Sequence, residues 1–351
     1  MAQEYKFTAW NIEWLDDLIR DLDSPDKTPS QLQRLRQRLE GIYQVIKQIS
    51  PDVLCITEGP KGEAGIDRFV AGLPGYTAIK RSTGDSYHLQ GRQWIWFIAK
   101  EAIASGASLL PIRVWQEYTK MASPAGEHAD RWPVYWWGKI TSDFHSHYRH
   151  PQVLVLTING VRLELIGGHF KSKLTREGNF FSEDPEVRLK YIEATLVNRV
   201  KLATEAQNLR YYIDQRFRQE PSPAIMVMGD LNDGPGKEVF ERQFLFFDLL
   251  NNVQGDVFEA AKFLNHALFD YPDNLRWTAS FKDKIDPTRD PHILLDHIMF
   301  SQPLVNGSLP LRVKAHAGKV EHEVYDRTSA LMDRNLRISD HKPLSCIVSE
   351  A

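Results

Sequence analysis

The stretch IGGHFKSK, residues 166–173, ends an apolar run with a histidine and two lysines. A strand suited to the interior has little reason to finish in groups that require water or an anion. The same ending recurs. DVLCIT, residues 52–57, leads into Glu58, and AIMVMG, residues 224–229, leads into Asp230 with Asn232 two positions on. HILL, residues 292–295, meets Asp296, and Asp340-His341 stand just before the last apolar run. Asn11 and Glu13 read as sharing one face of the first strand, and His169 and Lys171 as sharing a face of theirs, because strand side chains alternate. If such strands lie side by side, their polar ends gather at one rim. Several carboxylates there attract a hard divalent cation, while two histidines with Asn and Lys suit a phosphate.

The rest of the chain supplies the frame. SQLQRLRQRLEGIYQVIKQI, residues 30–49, carries a helical apolar stripe, with Arg34, Arg36 and Arg38 read as a solvated face. GRQWIWFIAKE (91–101), RVWQEYT (113–119), SPAIMVMGDLND (222–233), PHILLDHIMFS (291–301) and LSCIVS (344–349) read as strands. QVLVLTING (152–160) and VRLELIGGHF (161–170) predict a hairpin turning at Asn159-Gly160. A long helix is predicted over residues 185–218, opened by Pro185. FEAAKFLNHALF, residues 258–269, reads as helical, and residues 271–291 as a long loop. Strands and helices alternate unevenly around a hairpin, which predicts a mixed sheet. HSHYRH, residues 145–150, reads as a solvated loop in preference to a His-rich metal site. RWPVYWWGK, residues 131–139, reads as a core strand, with a base-stacking platform reached by Arg131 as the alternative.

Composition narrows the class. The chain has 351 residues, is 42% apolar and carries a formal charge of −3, so bulk charge alone does not hold it to nucleic acid. No run of about 18 apolar residues is present, which predicts no membrane partner. The N-terminus lacks a basic segment followed by a long apolar one. Cys55 and Cys346, the two cysteines, both lie in apolar runs, so buried free thiols and a cytoplasmic setting are the expectation. No obligate protein partner is expected.

The order WNIEW (10–14), ITEG (56–59), GGHFKSK (167–173), GDLND (229–233), LLDHIMFS (294–301) and SDHKPL (339–344) resembles the endonuclease/exonuclease/phosphatase superfamily, the DNase I-like fold. The resemblance spans nearly the whole chain and implies one domain, residues 1–351, of two mixed β-sheets packed as a sandwich with helices on the outer faces. It implies hydrolysis of phosphate esters with Mg²⁺ or Mn²⁺. By motif, Glu58 would be the main metal ligand, with Asn11 beside the ion, Asp340 completing the shell and Glu13 a further candidate. Asp230 would position or deprotonate the attacking water, with Asn232 beside the phosphate. His341, held by Asp296, and His169 would face the phosphoryl oxygens, and Lys171 would reach a substrate phosphate; outside the motifs, Arg131 of the aromatic stretch is a further candidate for such a contact. The resemblance departs at Thr57, where the family commonly has Gln. HFKSK resembles the bacterial-type nucleases of this superfamily, so a nuclease acting on DNA or RNA is the first reading. A phosphatase or phosphodiesterase on a smaller ester is the second, and a catalytically silent nucleic-acid-binding module is the alternative from another class.

Overall fold

Alternating apolar residues and short turns set the strands of this computed structural model, which describes residues 2–112, 132–135, 142–236, 238–244, 248–283, 285–333 and 335–351. In chain order these are β1 (Glu4–Asn11), β2 (Val53–Gly59), β3 (Tyr76–Ala78), β4 (Trp94–Lys100), β5 (Ala107–Leu109), β6 (Trp132–Tyr135), β7 (Ser142–His145), β8 (Gln152–Ile158) and β9 (Val161–His169). There follow β10 (Ala224–Asp230), β11 (Leu264–His266), β12 (Ala279–Ser280), β13 (His292–Ile293), β14 (Asp296–Ser301), β15 (Leu311–Val320) and β16 (Leu344–Glu350). One six-stranded sheet runs β15-β16-β1-β2-β4-β3 and the other β11-β14-β10-β9-β8-β5. Each is mixed. β1 is parallel to β2 and antiparallel to β16, and β10 is parallel to β9 and antiparallel to β14.

The two sheets share one apolar core that includes Phe7, Cys55, Phe97, Leu165, Met228 and Ile298, all buried. Their approach is close at the centre. A Cβ at Gly167 would lie 2.9 Å from Cys55 Sγ, so the absent side chain lets the layers meet. Both cysteines are buried and free, as the apolar runs around them predicted. A second cluster, with Ile166, Val227 and Met299, packs under the 35-residue helix Pro185–Gln219 through Leu202, Leu209 and Ile213. On the other sheet lies α2 (Pro29–Ile49), which follows the short α1 (Leu15–Asp21). Thr28 and Gln31 form a reciprocal capping box there, satisfying two orphan N–H groups before the stripe of Ile42, Val45, Ile46 and Ile49 enters the core.

Several sequence expectations change. The first strand ends at Asn11, so Glu13 lies past it in a turn and does not share a strand face with Asn11. Residues 257–262 form a 3-10 helix and Leu264–His266 pairs antiparallel with β14, because that edge offers unpaired backbone groups that helical spacing alone cannot reveal. PHILLDHIMFS divides into β13 and β14, with β13 paired to β12 inside the expected loop. HSHYRH is not a solvated loop, since His147 and His150 are buried. RVWQEYT and Arg131 lie outside the described residues; of the aromatic stretch, residues 132–135 form a strand paired antiparallel with β7.

Candidate active site

Strand register brings the polar ends together. Asp230 lies opposite His169 across the parallel β9–β10 pair and opposite Asp296 across the antiparallel β10–β14 pair. In the other sheet Asn11 is level with Thr57, one residue before Glu58. The two sheets are joined here by a hydrogen bond: Asn11 Nδ2 donates to Asp230 Oδ2 at 2.8 Å, and it also lies 3.5 Å from Glu58 Oε1.

Glu58 is aimed by its backbone. The β2–β4 register shifts between Ile56 and Gly59, and Glu58 sits at φ +58°, a left-handed conformation unusual for a residue with a side chain. Its Oε2 accepts from Trp14 N at 2.9 Å. Burial, together with the charge of Asp340, raises its pKa against the bonds it accepts from Trp14, Gln93 and Asn11. An amide thus reaches Glu58 from Gln93. Gln93 in turn accepts from Arg149, which also donates to the carbonyl oxygens of His169 and Phe170.

Asp230 is buried, and that burial, with Asp296 nearby, pushes its carboxyl up to about 7. Its Oδ1 accepts from Asn232 N at 2.8 Å, and Asn232 Nδ2 donates to Phe170 O at 2.9 Å, which fixes the turn after β10. His169 Nε2 stands 3.8 Å from Asp230 Oδ2. Burial, then Arg149 and His341, hold His169 well below its ordinary pKa, so it is neutral. His341 is the opposite case. Burial works against its cation, but Asp296 at 2.6 Å from Nδ1, then Asp230 and Asp340, outweigh burial and push it up to about 10. The strand end therefore holds a neutral and a cationic imidazole on either side of a carboxylate poised near neutrality.

Residues that the motifs did not single out hold this geometry. Ser339 Oγ donates to Asn11 O and accepts from the N–H groups of Glu13 and His341, joining β1 to the last turn. Thr278 Oγ1 accepts from Leu295 N and Asp296 N, and Trp10 Nε1 donates to His341 O. Two expected members have their side chains engaged by other partners. Glu13 is bound by Arg337 at 2.6 and 3.2 Å, and Lys171 Nζ donates to Ser172 O while its backbone N–H donates to Glu205.

The donor set fits a hard cation at Glu58. Asn11 Oδ1 is buried without a hydrogen-bond partner, and Glu58 and Asp340 both have raised pKa values, burial being the main cause and their shared or neighbouring negative charges adding to it. A divalent ion relieves such crowding among oxygens. Asp230, Asp296 and His341 also offer ligand atoms within 4.8 Å of one another, but the Asp296–His341 hydrogen bond commits two of them to holding a proton.

A family model described as the Endonuclease/Exonuclease/phosphatase family matches residues 8–341. The chain belongs to that family. Its members are phosphodiesterases, nucleases and phosphatases that generally use divalent metals. Among curated proteins none matches closely enough to count as a relative. Solved structures of the family's DNase I-like fold do match. A truncated TDP2 from Caenorhabditis elegans is 15% identical, with 99% of this chain and 98% of that one covered and a TM-score of 0.51. TDP2 from D. rerio complexed with single-strand DNA product is 13% identical, covers 99% of each chain and has a TM-score of 0.50. A family member from Bacteroides vulgatus is 11% identical, with 99% and 100% covered and a TM-score of 0.50. At these identities the likeness establishes the sandwich fold. No helix among the described residues is long and apolar enough to cross a membrane.

Proposed function

We propose that the protein is a divalent-metal-dependent phosphodiester hydrolase whose substrate is nucleic acid, DNA or RNA. The observation that carries this reading is the placement of Asp230, held near neutrality, beside neutral His169 and cationic His341. Glu58, Asn11 and Asp340 would hold the cation, which when bound offsets phosphodiester charge and lowers the pKa of water. Asp230 would accept the proton of the attacking water, with Asn11 fixing one of its oxygens and the Asn232 N–H the other. His341 would aim Nε2–H at a phosphoryl oxygen, its Nδ1 proton shared with Asp296 so that the ring stays cationic as negative charge develops. Removing one such aimed donor costs roughly 3–4 kcal/mol of transition-state stabilisation. His169 would offer a second, uncharged donor on the other side of Asp230.

A panel of plasmid, single-stranded DNA, RNA, a nucleotide monophosphate and an inositol phosphate, each with Mg²⁺, Mn²⁺ or EDTA, tests the reading. Cleavage of a polymer that stops in EDTA is the expected result. Turnover confined to the monoesters would replace the nuclease reading with a phosphatase. Full turnover in EDTA would remove the metal from the reaction.

A further inference from the structure

Arg34 and Arg36 of α2 are exposed, as a solvated face requires, and Arg38 is half-buried. Arg34 and Arg38 turn toward residues 335–338 and line a cavity of about 430 Å³ with Lys27, Arg337, Glu13 and Trp14. Four cations face one carboxylate there. Two of these cations, Arg34 and Arg38, are anchored by backbone carbonyls. Arg34 Nη2 donates to Asn335 O at 3.0 Å, and Arg38 donates to the backbone carbonyls of Ile338 and Glu13. Backbone carbonyls position a guanidinium without neutralising it, and each guanidinium keeps further N–H groups for an anion. Glu13 binds Arg337 through both oxygens and lies 4.0 Å from Arg38, so it orients the pair, while Lys27 is tied to Asp21 at 2.8 Å.

The cavity adjoins the catalytic cluster. The N–H of Trp14 donates to Glu58, Trp14 as a whole residue is 43% exposed, and Asp340 is among the charges felt by both Arg38 and Arg337. An isolated phosphate ester seated at Glu58 has no use for a second set of guanidiniums beside it. A polymer has a charged phosphate one nucleotide away, and an unstacked base needs an exposed aromatic face.

We propose that this cavity is a subsite for a backbone phosphate flanking the scissile one, with Trp14 as the face on which the adjoining base stacks. The substrate is then single-stranded nucleic acid, a conclusion that rests on the hydrolase reading above and narrows it. Arg34 supplies the least encumbered contact, since its one backbone bond leaves the rest of its guanidinium available. Arg36, on the same helix, is exposed and does not line the cavity.

Anisotropy of a labelled single-stranded oligonucleotide of about ten nucleotides, titrated in EDTA at several salt concentrations, separates the two readings. For Arg34→Ala the slope of log affinity against log salt should fall by about 0.7, the value of one lost phosphate contact on a single strand. Arg34→Glu should weaken binding further. Arg36→Glu, with the same change of net charge outside the cavity, should weaken it much less. Trp14→Leu should weaken binding by about 5- to 100-fold with the salt slope unchanged, because stacking releases no counterions. Equal effects of Arg34→Glu and Arg36→Glu, or a normal slope in Arg34→Ala, would overturn the subsite. Wild-type protein that hydrolyses a small aryl phosphodiester but binds no oligonucleotide would overturn it and leave the hydrolase standing. Wild-type protein that binds as described yet hydrolyses nothing with either metal would sink the hydrolase reading alone.

Discussion

At the scale of single residues, the Asp296–His341 pair makes the sharpest prediction. The His341 cation is present below its pKa, which Asp296 raises, and is lost as pH rises through it. If the cation is needed, activity has a basic limb set by that raised value. Asp296→Asn keeps a hydrogen-bonding partner at Nδ1 but removes the charge, so the limb should move to lower pH. His341→Ala should reduce turnover by about 10²–10⁴, with a smaller effect on substrate binding. His169→Ala should be comparably damaging, and the double variant less than additive if both rings serve one step. The measurement is the pH–rate profile at saturating metal, and an unmoved basic limb with near-normal turnover in Asp296→Asn would make Asp296 structural. The residues in this argument were readable in the sequence because each is a polar group closing an apolar strand. Gln93, Arg149, Thr278 and Ser339 were not. They act through backbone carbonyls, amides and other side chains that only the packed chain brings within reach, and nothing in RWTAS or HSHYRH marks Thr278 or Arg149. Glu13 misled for the converse reason: its spacing from Asn11 implied a shared strand face, but the strand ends between them.

At the scale of elements, the turn after β10 depends on a lysine from the segment after β9. Lys173 Nζ meets Asp233 at 2.5 Å, Glu238 at 3.0 Å and Glu241 at 3.2 Å, and Arg199 of the long helix joins Glu238 and Glu241. Burial alone would raise Glu238, but Lys173 and Arg199 outweigh it and hold the carboxyl down to about 2. A carboxylate depressed on folding contributes stability that is fully present above its unfolded pKa, near 4.5, and is lost as pH falls toward 2. Lys173→Met removes part of that depression. Its acid unfolding midpoint should therefore rise, and Asn232, whose turn the network holds, should lose order with a fall in turnover. Circular dichroism between about pH 2 and 5 reads the first effect; an unchanged midpoint would show that Arg199 alone sustains the network. The β8–β9 hairpin was legible from its Asn-Gly turn and α2 from its stripe, since both are decided by local chemistry. The strand Leu264–His266 was not, because the partner that makes it a strand lies more than thirty residues on in β14.

At the scale of the whole molecule, the sandwich places a set of mutually repelling carboxylates where the ends of two sheets meet. Glu58, Asp230 and Asp340 all have pKa values raised above those of free side chains, chiefly by burial. For a carboxylate, a raised folded pKa means that the folded state binds the proton more tightly than the unfolded chain does. The ionised form then costs stability, in full above the folded pKa and progressively less as pH falls below it. A bound cation reverses that cost by joining the folded state alone, and the gain grows with its concentration over its dissociation constant. Two consequences separate a metal ligand from a structural glutamate at position 58. In EDTA at neutral pH, Glu58→Gln should melt at or above the wild-type temperature, because it retains shape and hydrogen bonding while losing a buried charge. Added Mn²⁺ or Mg²⁺ should raise the wild-type melting temperature, by about 2–4 °C for each kcal/mol of binding in a domain of some 150–250 residues and less in a longer chain. The same additions should leave Glu58→Gln nearly unmoved, with hydrolysis abolished. A variant that melts well below wild type in EDTA would mean that Glu58 braces the fold through Trp14, and one that still gains stability with metal would place the ion on other carboxylates. The expected pattern, a site variant more stable and inactive, is what a fold does when it keeps charges close for chemistry at the expense of its own stability.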